Sequence, residues 1–150
     1  MKYSLAILLL LFFAASLKAE QPKYQSWHQS TNGKSGVFRN YQGQNLDKVT
    51  NTRYNTGNQG IFRNYRGQET NRYTSRGNNT FTNKETISRY GNKYLAKDHS
   101  GNRLGSYVTN SGRTVFYDNT GKTIGYAYES HGKIIYRDKL GRMTGSFTAK

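Results

Sequence analysis

Hydrophobic and polar positions recur along this chain in short units of two strands. Residues 112–125 and 132–145 follow one pattern, in which an aliphatic and an aromatic residue lead into Asp-x-x-Gly. The Asp side chain can accept hydrogen bonds from turn amides and the Gly can take a positive φ. Each unit therefore predicts a β-hairpin, and a type I turn closed by a Gly bulge fits its spacing.

Five copies of this unit align without gaps on their turn glycines. They are residues 37–43, 61–67, 95–101, 115–121 and 135–141. Residues 80–86 keep the aromatic residue and the Asn but carry Thr86 in place of the Gly, so we interpret them as a degenerate unit or a long connection. Periods of about 20 to 50 residues are typical of arrays in which each unit buries its face against its neighbours.

The first strands of the aligned units share four columns. The first column is aliphatic, at Val37, Ile61, Leu95, Val115 and Ile135. The second is aromatic, at Phe38, Phe62, Phe116 and Tyr136, with Ala96 as the exception. The third is basic, at Arg39, Arg63, Lys97 and Arg137, with Tyr117 as the exception, and the fourth is Asn or Asp. Because strand side chains alternate between faces, the aliphatic and basic columns share one face and the aromatic column takes the other.

The second strands carry a position that favours a bend. Four residues after each turn Gly stands Asp47, Asn71, Gly105, Gly125 or Gly145. These residue types accept a positive φ or leave room for another backbone, so we expect a bulge there. Identical bends in successive hairpins tend to close a ring, which removes exposed sheet edges. The predicted fold class is all-β, with repeated β-hairpins closing into a small barrel or ring over residues 35–150.

The first 34 residues are set apart from the repeats. Residues 1–19 join Lys2 to a short apolar run that ends in small residues, which is typical of a signal peptide cleaved after Ala19. An uncleaved anchor is the alternative. We therefore expect an exported bacterial protein of the periplasm or the extracellular space. Residues 20–34 are polar and predict a flexible leader or a loose first strand, with Trp27 docked on the body.

Charge indicates the kind of partner. The formal net charge is +15, and loss of Lys2 and Lys18 with the signal peptide leaves +13. Such a surface attracts an anionic glycan, lipopolysaccharide or lipid, with nucleic acid ranked behind them, and charge alone does not choose among them. The basic column is the candidate anion-binding site, because in a ring it would form a positive collar. The alternative interpretation is that these side chains are solvated strand ends.

The acidic and histidine residues show no catalytic or metal-binding pattern. Asp98, Asp118 and Asp138 share a turn column with Asn40 and Asn64, so this column acts through hydrogen bonds and not through proton transfer. The turn glycines of the same three units are Gly101, Gly121 and Gly141. The remaining acids are scattered, the three histidines lack metal-ligand spacing, and the chain has no Cys. The sequence predicts no catalytic residue, no metal and no cofactor.

The unit of an aromatic residue, Asp-x-x-Gly and a second Gly four residues on resembles the five-fold β-flower proteins of bacteria, most clearly over residues 114–145. That resemblance implies hairpin petals around a short, wide β-barrel with an apolar channel, and no established activity. Residues 136–144 also resemble the tyrosine-aspartate repeats of bacterial wall-associated and Rhs-type shell proteins.

These observations together predict a non-enzymatic, exported β-repeat module that binds an anionic or amphipathic partner at the cell envelope. The alternatives are a surface or toxin-associated structural protein of the tyrosine-aspartate-repeat type and a small secreted hydrolase. The sequence leaves the number of hairpins and the oligomeric state open.

Overall fold

The computed structural model describes residues 23–54 and 57–150, and the predicted signal peptide lies outside them. One helix, α1, spans Lys23–Asn32. It is followed by twelve strands, which are β1 (Gly36–Asn40), β2 (Asn45–Tyr54), β3 (Gly57–Asn64), β4 (Glu69–Arg76), β5 (Asn79–Thr82), β6 (Glu85–Tyr90), β7 (Lys93–Asp98), β8 (Arg103–Asn110), β9 (Arg113–Asp118), β10 (Thr123–Ser130), β11 (Lys133–Asp138) and β12 (Met143–Ala149). No helix in these two ranges is long and apolar enough to cross a membrane.

The twelve strands form one closed antiparallel barrel, which confirms the predicted all-β fold. Each strand pairs with its neighbours along the chain, and β1 pairs with β12 to close the ring. The closing pair sets Gly36 opposite Ala149 and Phe38 opposite Phe147. Closure leaves this sheet without an open edge.

The aromatic column faces the interior of the barrel, and the aliphatic and basic columns face outward. Seven aromatic side chains on the strands are at most 1% exposed and fill much of the interior, namely Phe38, Phe62, Tyr73, Tyr107, Phe116, Tyr136 and Phe147. Phe38, for example, has its ring centroid 5.0 Å from that of Phe147 and 6.4 Å from that of Phe62. Rings supply this core because the chain is poor in aliphatic residues.

The second strands bulge at the predicted place. In the β9–β10 pair, Phe116 is opposite Gly125 and Tyr117 is opposite Thr123, so Ile124 is the extra residue. Register shifts occur at the equivalent point of the β1–β2, β3–β4, β7–β8 and β11–β12 hairpins. Gly125 does not have a positive φ. Glycine is needed there because it has no side chain: a Cβ at this position would lie 2.6 Å from the Arg137 carbonyl oxygen.

The degenerate unit is a sixth hairpin, β5–β6, whose alignment is shifted by one residue. Thr82 Oγ1 accepts hydrogen bonds from the amides of Lys84 and Glu85 at 3.2 and 2.9 Å. It therefore does the work that the Asn40 side chain does in the first hairpin. As a result Thr80 faces the interior, whereas Phe81 points outward and is 46% exposed.

Residues 23–32, expected to belong to a flexible leader or a loose first strand, are instead helical and lie inside the barrel. Tyr24 and Trp27 are buried there, and so are three polar side chains of the same helix, Gln25, Gln29 and Ser30. Twelve strands enclose a wider interior than side chains alone fill, which leaves room for a helix. The helix ends at Asn32, and Gly33 follows with φ of +69°, as is common at a helix C-terminus.

Candidate functional site

The two ends of the barrel differ in the turns that form them. The loops after β1, β3, β5, β7, β9 and β11 form one end, which we call the Asx-turn end. The connections after β2, β4, β6, β8 and β10 form the opposite end, which we call the tight-turn end because its described connections have two residues each, as at 111–112 and 131–132. Residues 55–56, between β2 and β3, are outside the described ranges.

The Asp column builds the turns of the Asx-turn end through hydrogen bonds. Asp118 Oδ1 accepts from the amides of Thr120 and Lys122 at 2.8 and 2.9 Å, and Asp98 and Asp138 accept from their own loops in the same way. The turn glycines Gly101, Gly121 and Gly141 have φ between +83° and +89°. Hydrogen bonds from loop groups lower the pKa of Asp118 and so hold it ionised in its turn.

The predicted basic collar lies on the outer face next to the Asx-turn end, and three of its four members bond to the barrel. Arg63 Nη1 donates to the Gly67 carbonyl oxygen at 3.2 Å, and Arg137 Nη1 donates to that of Gly141 at 2.6 Å. Arg39 Nη1 donates to Thr148 Oγ1 at 3.1 Å, while Lys97 is exposed. The collar residues thus share one face and one end. Arg63 and Arg137 also support their own hairpins, whereas Arg39 joins β1 to β12.

The tight-turn end carries a second set of basic residues that repeats every 20 residues. Lys93, Arg113 and Lys133 are the first residues of β7, β9 and β11, and all three are exposed. The other basic residues placed at this end are Lys34, Arg53, Arg76, Arg89 and Lys150. Glu129 is the one acidic residue described there, whereas the remaining six described acids lie toward the Asx-turn end. We call Lys93, Arg113 and Lys133 the basic rim.

The side chains of the basic rim are available to an anion. The two salt bridges among the described residues join Arg72 to Glu69 and Arg142 to Asp138, so neither involves the rim. The Arg113 guanidinium lies 4.9 Å from the ring centroid of Tyr126. A shallow depression of about 310 Å³ between β8 and β9 adjoins it, lined by Val108, Asn110, Arg113, Val115 and Tyr117. Charge, aromatic rings and a concave surface therefore meet at the outer face of β8–β10.

The interior holds a second constellation, centred on His28 of α1. Its Nδ1 lies 3.1 Å from the Tyr136 hydroxyl, which also accepts a 2.8 Å hydrogen bond from Gln29 Nε2. The other imidazole nitrogen, Nε2, lies 3.4 Å from Thr114 Oγ1, so both ring nitrogens of His28 have a hydroxyl partner on the wall, and the tautomer decides which of them donates. The rings of Tyr107, Phe116 and Tyr136 stand edge-on to the imidazole.

Burial sets the ionisation of these interior groups. It lowers the pKa of His28 to about 4 and raises the pKa of the Tyr136 hydroxyl, so both are neutral at pH 7. Asp47, at the bulge position of β2, also has a raised pKa because it is partly desolvated. The described residues contain no group of three or more His, Cys, Asp or Glu side chains that could hold a metal ion.

Sequence reasoning missed both the basic rim and the placement of α1. The 20-residue spacing of Lys93, Arg113 and Lys133 was visible in the sequence, one position after each tight turn. For α1, the signal was Pro22 before the segment and Gly33 after it, a pair typical of helix ends.

Comparison with known proteins adds no further assignment. The chain matches no family model, no curated protein and no solved structure.

Proposed function

We propose that this protein is a non-enzymatic, exported binding module whose tight-turn end binds an acidic glycan of the cell envelope. The observation that carries the proposal is the basic rim, in which three cations stand at the same register of three successive hairpins. Equivalent positions in successive hairpins add their potentials over one surface, which raises the local concentration of a polyanion.

The choice of a glycan rests on the surroundings of Arg113. Tyr126 and Tyr117 lie on the same outer face, beside the depression between β8 and β9. Aromatic rings next to a guanidinium suit a sugar ring that carries a carboxylate, because the ring stacks while the cation pairs with the charge. The alternative partners are lipid and lipopolysaccharide, which are more apolar, and single-stranded nucleic acid.

The non-enzymatic interpretation is supported by the bonding of the acids. Asp98, Asp118 and Asp138 are engaged in their turns, and Glu69 is paired with Arg72. Hydrolysis needs a free carboxylate pair or an activated nucleophile, and these four acids are already committed to structural bonds.

The test is binding to polygalacturonate, with neutral dextran as the control polymer. We expect binding at about 0.05 M salt, a loss of at least tenfold in affinity at about 0.2 M, and no binding to dextran. The triple variant K93Q/R113Q/K133Q should bind at least tenfold more weakly. The matched collar variant R39Q/R63Q/K97Q should bind as the unmodified protein does, because those cations lie toward the other end.

Three outcomes would contradict the proposal. Equal losses in the two triple variants would show that overall charge acts and the rim does not. Equal or tighter binding of single-stranded DNA would replace the glycan by nucleic acid, and salt-resistant uptake into anionic vesicles would replace it by lipid.

A further inference from the structure

The hydrogen bonds that attach helix α1 to the barrel wall all go to one half of it, although the helix backbone also lies close to β4 on the other half. Its hydrogen bonds to the wall run from Tyr24 and Gln25 to Thr144, from His28 and Gln29 to Tyr136, from His28 to Thr114 and from Thr31 to Tyr107. All these partners lie on strands β8 to β12, which belong to the three most regular hairpins.

The same half of the barrel is shaped to receive a helix. Gly105 and Gly125, 20 residues apart, leave the space that two aromatic side chains of α1 occupy. A Cβ at Gly105 would lie 2.9 Å from the Trp27 ring, and one at Gly125 would lie 3.0 Å from the Tyr24 hydroxyl. In the first two hairpins the equivalent positions hold Asp47 and Asn71, which have side chains.

The fit of α1 to this wall is incomplete. Trp27 Nε1 and Gln29 Oε1 are buried and have no hydrogen-bond partner among the described residues. A helix of ten residues is also marginal in water without tertiary contacts. The strands, by contrast, are held by continuous ladders on both sides. The helix is therefore the element of the barrel that we expect to leave first.

We propose that the inner face of β8–β12 is a helix-binding site, that α1 is its exchangeable occupant, and that the site accepts an uncharged helix from a partner protein. The chemistry of the wall defines that helix. It meets α1 with aromatic rings and with the hydroxyl groups of Tyr107, Thr114, Tyr136 and Thr144, so a charged side chain there would be buried without a counter-ion. The matching helix carries aromatic anchors together with amide and hydroxyl side chains, as α1 does.

The short connection between α1 and β1 determines at which end of the barrel α1 can leave. Residues 33–35 join Asn32 to β1, which starts at the tight-turn end. Tyr24 and Gln25, near the other end of α1, contact Thr144 beside the Asx-turn end. The helix thus spans the interior and is tied at the tight-turn end, where it can swing out about Gly33.

Trp27 makes the exchange measurable, because it is the single Trp of the chain and lies in α1. The probe is a blocked synthetic peptide of residues 23–32 with Trp27→Phe, added to the full-length protein. We expect a saturable red shift of Trp27 emission and increased quenching by acrylamide. An intramolecular occupant acts at an effective concentration of about 1 mM. The variant Tyr24→Ala weakens that occupant and should lower the peptide concentration for half-displacement by at least about tenfold.

The control peptide carries an additional Gln29→Glu change and should not displace Trp27, because it would bury a carboxylate. If Tyr24→Ala already exposes Trp27 without peptide, binding of a dye-labelled peptide to that variant is measured by anisotropy. The proposal is overturned if neither protein responds at about 1 mM peptide and the labelled peptide does not bind. Equal displacement by the two peptides would also overturn it, since the wall would then not select an uncharged helix.

Discussion

The side-chain amide of Gln29 donates a 2.8 Å hydrogen bond to the hydroxyl of Tyr136, 107 residues away along the chain. This bond joins the helix to the wall of the barrel, and the same hydroxyl orients His28. We expect Tyr136→Phe to lower the free energy of unfolding by about 1 to 3 kcal/mol, because two buried polar groups lose their partner.

Chemical denaturation of Tyr136→Phe measures this loss, with Tyr126→Phe as the matched control. Tyr126 is on the outer face, and its ring still meets the Arg113 guanidinium after the change. The control should stay within about 0.5 kcal/mol of the unmodified protein. Equal effects of the two substitutions would contradict the role assigned to the Tyr136 hydroxyl.

Acid should weaken the protein through His28. Burial lowers its pKa from 6.5 to about 4, so between these values the unfolded chain binds more protons than the folded one. The stabilisation is complete above pH 6.5 and is lost as the pH falls toward 4, by up to about 3 kcal/mol. The groups that face the imidazole from the wall are Tyr107, Tyr136, Thr114 and Phe116, and none of them is a carboxylate that could offset its charge.

The measurement is the stability of the protein from pH 7 to pH 4, compared with that of His28→Gln. The variant should lose most of the dependence between pH 6.5 and pH 4, whereas His131→Gln, in an exposed turn, should retain it. A slope in His28→Gln that matches the unmodified protein would assign the effect to other groups.

The turn column should tolerate Asn and reject Ala. Asp118 accepts two loop amides through one oxygen, as Asn40 does in the first hairpin. Asp118→Asn should therefore leave the melting temperature nearly unchanged at neutral pH, whereas Asp118→Ala should lower it by several degrees. Thermal unfolding followed by circular dichroism decides between them, and an equal drop in both would mean that charge, and not hydrogen bonding, holds the turn.

The shifted register of the sixth hairpin predicts opposite tolerances at two aromatic positions. Phe81 is exposed, so Phe81→Lys should change the free energy of unfolding by no more than about 0.5 kcal/mol. Phe116 is fully buried, and Phe116→Ala should cost about 3 to 5 kcal/mol. Denaturant titrations of the two variants test this. A large loss of unfolding free energy in Phe81→Lys would show that Phe81 faces the interior, as the unshifted alignment requires.

The repeats made the barrel predictable because turn and strand signals are local. The Asp-x-x-Gly turns, the bend at Gly125 and the inward aromatic column each depend on residues a few positions apart. The sequence alignment of the sixth unit was wrong by one residue because Thr82 takes the place of the Asn or Asp that begins the other turns. A Thr at the end of a strand does not by itself indicate a turn.

The placement of α1 could not be predicted from hydrophobic periodicity. A helix enclosed by a barrel has no solvent face, so its apolar and polar residues are not segregated. Its buried side chains include Gln25, Gln29 and Ser30. In the sequence alone, such polar residues indicate an exposed segment, because their hydrogen-bond partners in the fold are not visible. The basic rim was not predicted because the collar column, four positions further along the same first strands and at the other end of the barrel, has more copies. Its significance depends on the distribution of acids between the ends of the barrel, which only the fold defines.

The pairing of β1 with β12 has a consequence for how the chain is assembled. All other strand pairs join neighbours along the sequence and can form as soon as each hairpin emerges, whereas this one waits for the last residues. We therefore expect ring closure to be the slow step of folding, because it must bring together segments more than 100 residues apart. Until then two unsatisfied strands face the solvent, and a copy truncated before Met143 would keep them exposed and be prone to aggregation.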